Sequence, residues 1–225
     1  MPWRSLRAIS RIMVKRNLSL VVEGADLLPR TGPVIVASRH YHHLYDGCAL
    51  LATLDRPSHV LVAGDWAGNP ASRMLLARAC FAARWPVLMR PGGPSRITDA
   101  QAAGAFRTVI RNALNLFREG RILIVFPEGF PNVDPGYTLK TDDSMFLPFE
   151  RGVVRLATIA ARSGIEVPLV PVGFSYEKGD RWQVIMRFGS PIEVTSRDDE
   201  AAVLHQLETS VYALSAGSPA YREQS

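Results

Sequence analysis

The stretch "SRHYHHLYDG", residues 38–47, holds His40, His42 and His43, three of the chain's five histidines, with Asp46 just beyond. An imidazole beside a carboxylate is a general base: the acid orients the ring, fixes its tautomer and stabilises the imidazolium that forms on proton uptake. The same residue types could bind zinc. However, His40, His42 and His43 crowd one turn too closely to reach a single tetrahedral ion comfortably, and His59 and His205 fall elsewhere. There is no His-Glu-x-x-His and no paired Cys-x-x-Cys, so neither a metal nor another cofactor is expected.

A serine nucleophile is disfavoured because the closest approach to a G-x-S-x-G elbow, "GFSYE" at 173–177, lacks the closing glycine. No G-x-x-x-x-G-K-[ST] or G-x-G-x-x-G loop is present, which removes support for ATP and dinucleotide chemistry. A base without its own nucleophile must take its proton from the substrate. Five residues separate His40 from Asp46 and three separate His42 from it. Counting from the preceding strand selects His40, with His42 the alternative and His43 behind both; a solvated loop tip is the bland reading of the cluster.

The elements that must hold such a pair follow from hydrophobic pattern. "LSLVVEG" alternates as a strand, and "GPVIVAS" reads as a buried strand that ends at the histidines. A short helix over "DGCALLATLD", a strand "SHVLVAG", a helix over 69–80 and a strand "PVLM" ending at Arg90 come next. Thr98 and Gln101 suggest a capping box for a helix running to Gly120, and "RILIVF" is another buried strand. Residues 127–149 carry prolines, glycines and acids without periodicity, a long irregular segment of the kind that is usually functional. A helix over "GVVRLATIAARSG", strands "VPLVPVGF" and "WQVIMRFG" and a helix near 198–214 complete the chain.

This alternation predicts an α/β fold: a mostly parallel central sheet flanked by helices on both faces. Ligands in such folds bind beyond the carboxyl ends of the strands, where "RHYHHLYD", "RPGGPSR" and "PEGFPNVDPG" would converge.

With 225 residues, one domain is the default, and 47% hydrophobic against 21% charged residues excludes a disordered chain. Cys48 and Cys80 lie in apolar surroundings and read as buried small hydrophobes in a reducing compartment. No run is long enough to span a membrane, and no signal peptide is evident. A net charge of +5 implies affinity for something anionic. The opening helix narrows that choice: Arg4, Arg7, Arg11 and Lys15 share one side, and Leu6, Ile9, Ile12 and Met13 share the other. This pattern suits a helix lying in a membrane interface, or a terminal helix packed on its own domain. The basic residues show no aromatic interleaving or groove-reading motif, which disfavours nucleic acid.

In four ordered blocks over residues 31–175 the sequence resembles the glycerolipid acyltransferases, the family of 1-acyl-glycerol-3-phosphate acyltransferases. The first block is similar to "IVASRHYHHLYDG", with His40 and Asp46, and the second to "WPVLMR", with Arg90. The third matches "IVFPEGF", with Phe126, Pro127, Glu128 and Gly129, and the fourth "LVPVGF", preceded by "FERGVVRLA".

The resemblance implies acyl transfer from acyl-CoA or acyl carrier protein to a hydroxyl of a lysophospholipid or related lipid. His40 would be the base and Asp46 its partner, while Arg90, Phe126, Pro127, Glu128 and Gly129 would contact substrate. Taken with the basic amphipathic opening helix, the reading is of residues 1–20 as an amphipathic membrane-interface helix, residues 21–225 as a single acyltransferase domain, and a cytoplasmic location on the inner face of an anionic membrane. The third block lacks the family's Thr and Arg after Glu-Gly, which puts a phosphate-bearing acceptor in question unless Arg90, Arg96 or Lys140 substitutes. A non-catalytic lipid-binding protein and an acyl thioesterase are the rival readings.

Overall fold

The computed structural model describes residues 3–64, 70–89, 98–135 and 138–216. Helix α1 (Trp3–Asn17) runs directly into strand β1 (Leu18–Glu23), so the expected boundary after residue 20 falls inside a strand of the main sheet. Next come β2 (Val34–Ser38), α2 (Tyr45–Thr53), β3 (Ser58–Val60), β4 (Val62–Ala63), α3 (Pro70–Ala83) and β5 (Val87–Leu88). Helix α4 (Asp99–Arg118), β6 (Ile122–Val125), α5 (Gly152–Arg162), β7 (Leu169–Glu177), β8 (Trp182–Phe188) and α6 (Glu200–Ser215) complete the order.

The main sheet has the order β1-β8-β7-β2-β6-β3, and every pairing is parallel except β7 with β8. Its central strands are apolar throughout because both faces are covered. In β2, Ile35 and Ala37 point to one core and Val34 and Val36 to the other. β6 repeats this in register, with Leu123 and Val125 on the first face and Ile122 and Ile124 on the second. Helices α4, α5 and α6 cover the first face, and α1 and α2 cover the second. Each Val, Leu or Ile fully withdrawn from water contributes about 1.5–3 kcal/mol. The sheet is thereby a rigid platform for what stands at its ends.

One expected strand divides. "SHVLVAG" becomes β3, which pairs with β6, and β4, which pairs with β5 in a separate two-stranded sheet. The Leu61 amide still bonds Ile124 O at 2.9 Å, whereas the Val62 amide has turned to Pro86 O at 2.9 Å. The apolar run is continuous, so the sequence carries no mark of the change in partner.

Helix α1 also docks differently from its apolar stripe. Ser10 is buried and Val14 packs against the second core, while Ile9 is 47% and Ile12 53% exposed. Arg7, read as part of the solvated basic face, is only half-exposed and lies over the Trp3 ring at 5.2 Å. No helix among the described residues is long and apolar enough to cross a membrane.

Candidate active site

His40 lies two residues beyond β2 and Asp46 in the first turn of α2, so the connection between strand and helix sets their distance. Nδ1 of His40 is 3.0 Å from Oδ2 of Asp46. With the carboxylate as acceptor, Nδ1 carries the proton and Nε2 keeps its lone pair for chemistry. The ring stacks on Phe126 with centroids 4.3 Å apart, which fixes its plane.

Asp46 is wholly buried and fully engaged. Its Oδ2 also accepts from the amides of Tyr41 at 2.7 Å and His42 at 2.9 Å, and its Oδ1 accepts from the Tyr176 hydroxyl at 2.6 Å. The helix N-terminus adds a favourable field. Burial and the Asp46 charge together push the Tyr176 phenol well above its usual range, so it stays a donor. The five intervening residues close a loop around the carboxylate that accommodates the longer spacing.

His42 has another task. Its Nδ1 accepts from the amides of Leu44 at 3.3 Å and Tyr45 at 3.4 Å, capping α2, and its ring stacks on Tyr45. Burial, reinforced by His43, lowers it to about 4, so it is neutral and committed to structure. His43 is exposed and sits against Val133 O at 3.2 Å. Among the described residues no three His, Cys, Asp or Glu side chains gather where they could hold a metal ion.

The long irregular segment is knitted onto this loop. The Val133 amide bonds Tyr41 O at 2.7 Å, and the His43 amide bonds Val133 O at 3.0 Å. Glu128 is buried, and its oxygens point inward: Oε1 accepts from the His40 amide at 2.9 Å, and Oε2 accepts from the Leu147 amide at 3.1 Å. Lys140 completes the bracing, with Nζ 2.6 Å from Glu128 Oε2, 2.7 Å from the His40 carbonyl and 3.1 Å from Asn132 Oδ1. Burial lowers its pKa against the pull of Glu128.

Three acceptors use all three ammonium protons, so Lys140 does not serve as the phosphate ligand that its charge suggested. Glu128 likewise reads from its geometry as a brace for the loop that carries His40. Arg39 is also occupied internally: Nη1 bonds Phe174 O at 3.2 Å, Nη2 bonds Asp143 O at 2.9 Å, and the guanidinium lies 4.1 Å over the Phe146 ring.

Of the expected substrate residues, Phe126 stacks on His40, Pro127 is buried with its carbonyl bonded by the Glu150 amide at 3.0 Å, and Gly129 closes a turn to Phe126 O at φ 75°. The structure therefore brings two of the three expected loops together at the carboxyl ends of β2 and β6. Arg90 and Arg96, with the loop that carries them, lie outside the described residues, as does Trp66. Tyr176, Lys140 as a brace, Arg39 and Asn132 were not picked out as site residues by sequence reasoning. Tyr176, Lys140 and Arg39 act across 100 residues or more, 130 for Tyr176 and Asp46, and Asn132 acts within an irregular loop, so none leaves a local pattern.

A family model described as Acyltransferase matches residues 19–175, spanning β1 to all but the end of β7 and including both members of the His40–Asp46 pair. None of the curated proteins matches the chain. Among solved structures, the fold is similar to the 1-acyl-sn-glycerophosphate acyltransferase PlsC from Thermotoga maritima. The TM-score is 0.63 at 18% identity, over 94% of this chain and 77% of that one.

Proposed function

The chain belongs to the acyltransferase family, and on that premise we propose that it moves a fatty acyl group from acyl-CoA or acyl carrier protein to a hydroxyl of a lysophospholipid or related lipid acceptor. Nε2 of His40 takes the acceptor's hydroxyl proton as its oxygen adds to the thioester carbonyl. Asp46 holds the imidazolium until the tetrahedral intermediate collapses. The new C–O bond is kept, the C–S bond breaks, and the thiolate leaves with the proton that His40 returns. Such general-base help is worth about 10²- to 10⁴-fold in rate.

The observation that carries this reading is the 3.0 Å contact between His40 Nδ1 and an Asp46 whose two oxygens accept three further hydrogen bonds. The non-catalytic rival rests on the shifted dyad and the altered third block; on the first of these, the contact supports an intact dyad. With Arg39 and Lys140 committed internally, Arg90 and Arg96 are the residues left for a phosphate on either substrate. The exposed Ile9 and Ile12 of α1, flanked by Arg11, Lys15 and Arg16, support a peripheral position on an anionic membrane surface, which we assign to the cytoplasmic leaflet.

The test is thiol release from palmitoyl-CoA and palmitoyl carrier protein, with and without mixed lysophospholipids, with lipid products read by mass. Acceptor-dependent release with an acylated product is expected. Release that ignores acceptor would mean a thioesterase, and no release from either donor would mean a binding protein.

A further inference from the structure

Helix α3, like α1 and unlike α4, α5 and α6, leaves large apolar side chains in water. Met74 is 57%, Leu75 70% and Phe81 87% exposed, although α4, α5 and α6 turn theirs into the core. Stepping 100° per residue, Phe81, Met74, Arg78 and Leu75 fall within an arc of about 120° on one side of the helix. Leu75 and Phe81 are about 9 Å apart along the axis, so the patch is elongated along the helix. Single exposed hydrophobics are ordinary; three large ones on one arc mark a surface that another phase or molecule covers.

The charges select the occupant. The charged residues of α3, Arg73 and Arg78, are both basic, and α1 too contains only basic ones, Arg4, Arg7, Arg11, Lys15 and Arg16. The two helices adjoin: Trp3 and Leu6 of α1 share the walls of a hollow of about 170 Å³ with Ala82 and Ala83 at the end of α3. An apolar arc punctuated by arginine, next to an acid-free helix that also exposes isoleucines, matches an anionic bilayer, where aliphatic and aromatic side chains enter the acyl boundary and guanidinium stays with the headgroups.

We propose that the Met74–Leu75–Phe81 face of α3 is a second lipid-contact surface, inserting beside α1 into an anionic membrane. This rests on the membrane reading of α1 above. Two contact elements would fix how the domain is oriented on the bilayer, where one helix alone leaves it free to roll, and neither element is part of the His40 site.

The experiment measures partition of the purified chain onto phosphatidylcholine vesicles with and without phosphatidylglycerol. It compares wild type, Leu75→Glu/Phe81→Glu and Ile9→Glu/Ile12→Glu, with the oligomeric state of each followed by sedimentation velocity. The α3 variant is expected to lose roughly tenfold or more in partition onto anionic vesicles while staying folded and monomeric. Leu75→Ala/Phe81→Ala, which adds no charge, serves if the glutamate variant misfolds, with a smaller loss in the same direction expected.

If the α3 variants bind as wild type does while the α1 variant is released, the α3 proposal is overturned and the α1 reading stands. Wild type that ignores anionic vesicles would overturn both. Wild-type self-association abolished by the α3 substitutions would assign the face to a second copy of the chain and overturn the lipid assignment.

Discussion

At the scale of single residues, the proposed mechanism divides the site into a base, its orienting acid and a set of braces. Tyr176→Phe removes one donor from buried Asp46 without touching His40, and a buried acceptor left unpaired costs about 1–3 kcal/mol. The expected outcome is a lower kcat with little change in KM, because the acid steadies the imidazolium only once it forms. Lys140→Met leaves the Glu128 carboxylate buried without its partner, a change that typically costs about 3–5 kcal/mol, and thermal denaturation should show a large loss of stability.

His42 has a pH signature of its own. In the folded chain it protonates near 4, well below the value near 6.5 that an unconstrained imidazole has, so the unfolded state takes up its proton first. Its contribution to stability is therefore intact above about pH 6.5 and lost as pH falls toward 4, by about 3 kcal/mol at most. His42→Asn offers an acceptor for the helix cap and has no titrating ring. Its melting temperature should fall less between neutral and mildly acidic pH than that of wild type.

At the scale of elements, α6 and β7 approach each other closely at Gly173. A Cβ at Gly173 would stand 2.4 Å from the backbone carbon of Leu214, and Ser175 Oγ donates to Ser215 O at 3.0 Å beside it. Gly173→Ala should destabilise by about 1–3 kcal/mol, read as a lowered melting temperature, since backbone cannot yield as a side chain can. The order and type of these elements were legible because short continuous apolar runs alternate with longer helical segments bounded by caps and glycines. β2 read as a buried strand from its β-branched run, and α4 as a helix from the Thr98 and Gln101 capping box and the stop at Gly120.

What stayed illegible was partnership. The run over "SHVLVAG" does not reveal that Leu61 ends one sheet and Val62 begins another. The stripe of Leu6, Ile9, Ile12 and Met13 in α1 does not reveal that the helix docks through Ser10 and Val14 instead. Periodicity measures one element's asymmetry, and docking depends on the surface it meets.

At the scale of the whole molecule, a doubly covered parallel sheet carries its chemistry at the carboxyl edge, where the first and third sequence blocks meet. His40 and Asp46 were readable because the two residues stand six positions apart in the chain, so their types announce a local pair. Lys140 was visible only as a charge, because it reaches the His40 carbonyl across 100 residues through a loop without periodicity. The buried cations there are committed internally, Lys140 to Glu128 and Arg39 to backbone carbonyls, so on the proposed reading the basic surface offered to lipid is separate from the His40 site.

The central claim is that His40, held by Asp46, is the base of an acyl transfer. The measurement closest to it is acceptor-dependent thiol release by His40→Ala and His42→Asn beside wild type, each first shown to be folded. Turnover is expected to fall by about 10²- to 10⁴-fold in His40→Ala and to stay within a fewfold of wild type in His42→Asn. Turnover retained by His40→Ala and lost in His42→Asn would contradict the assignment and place the base on the residue that caps α2.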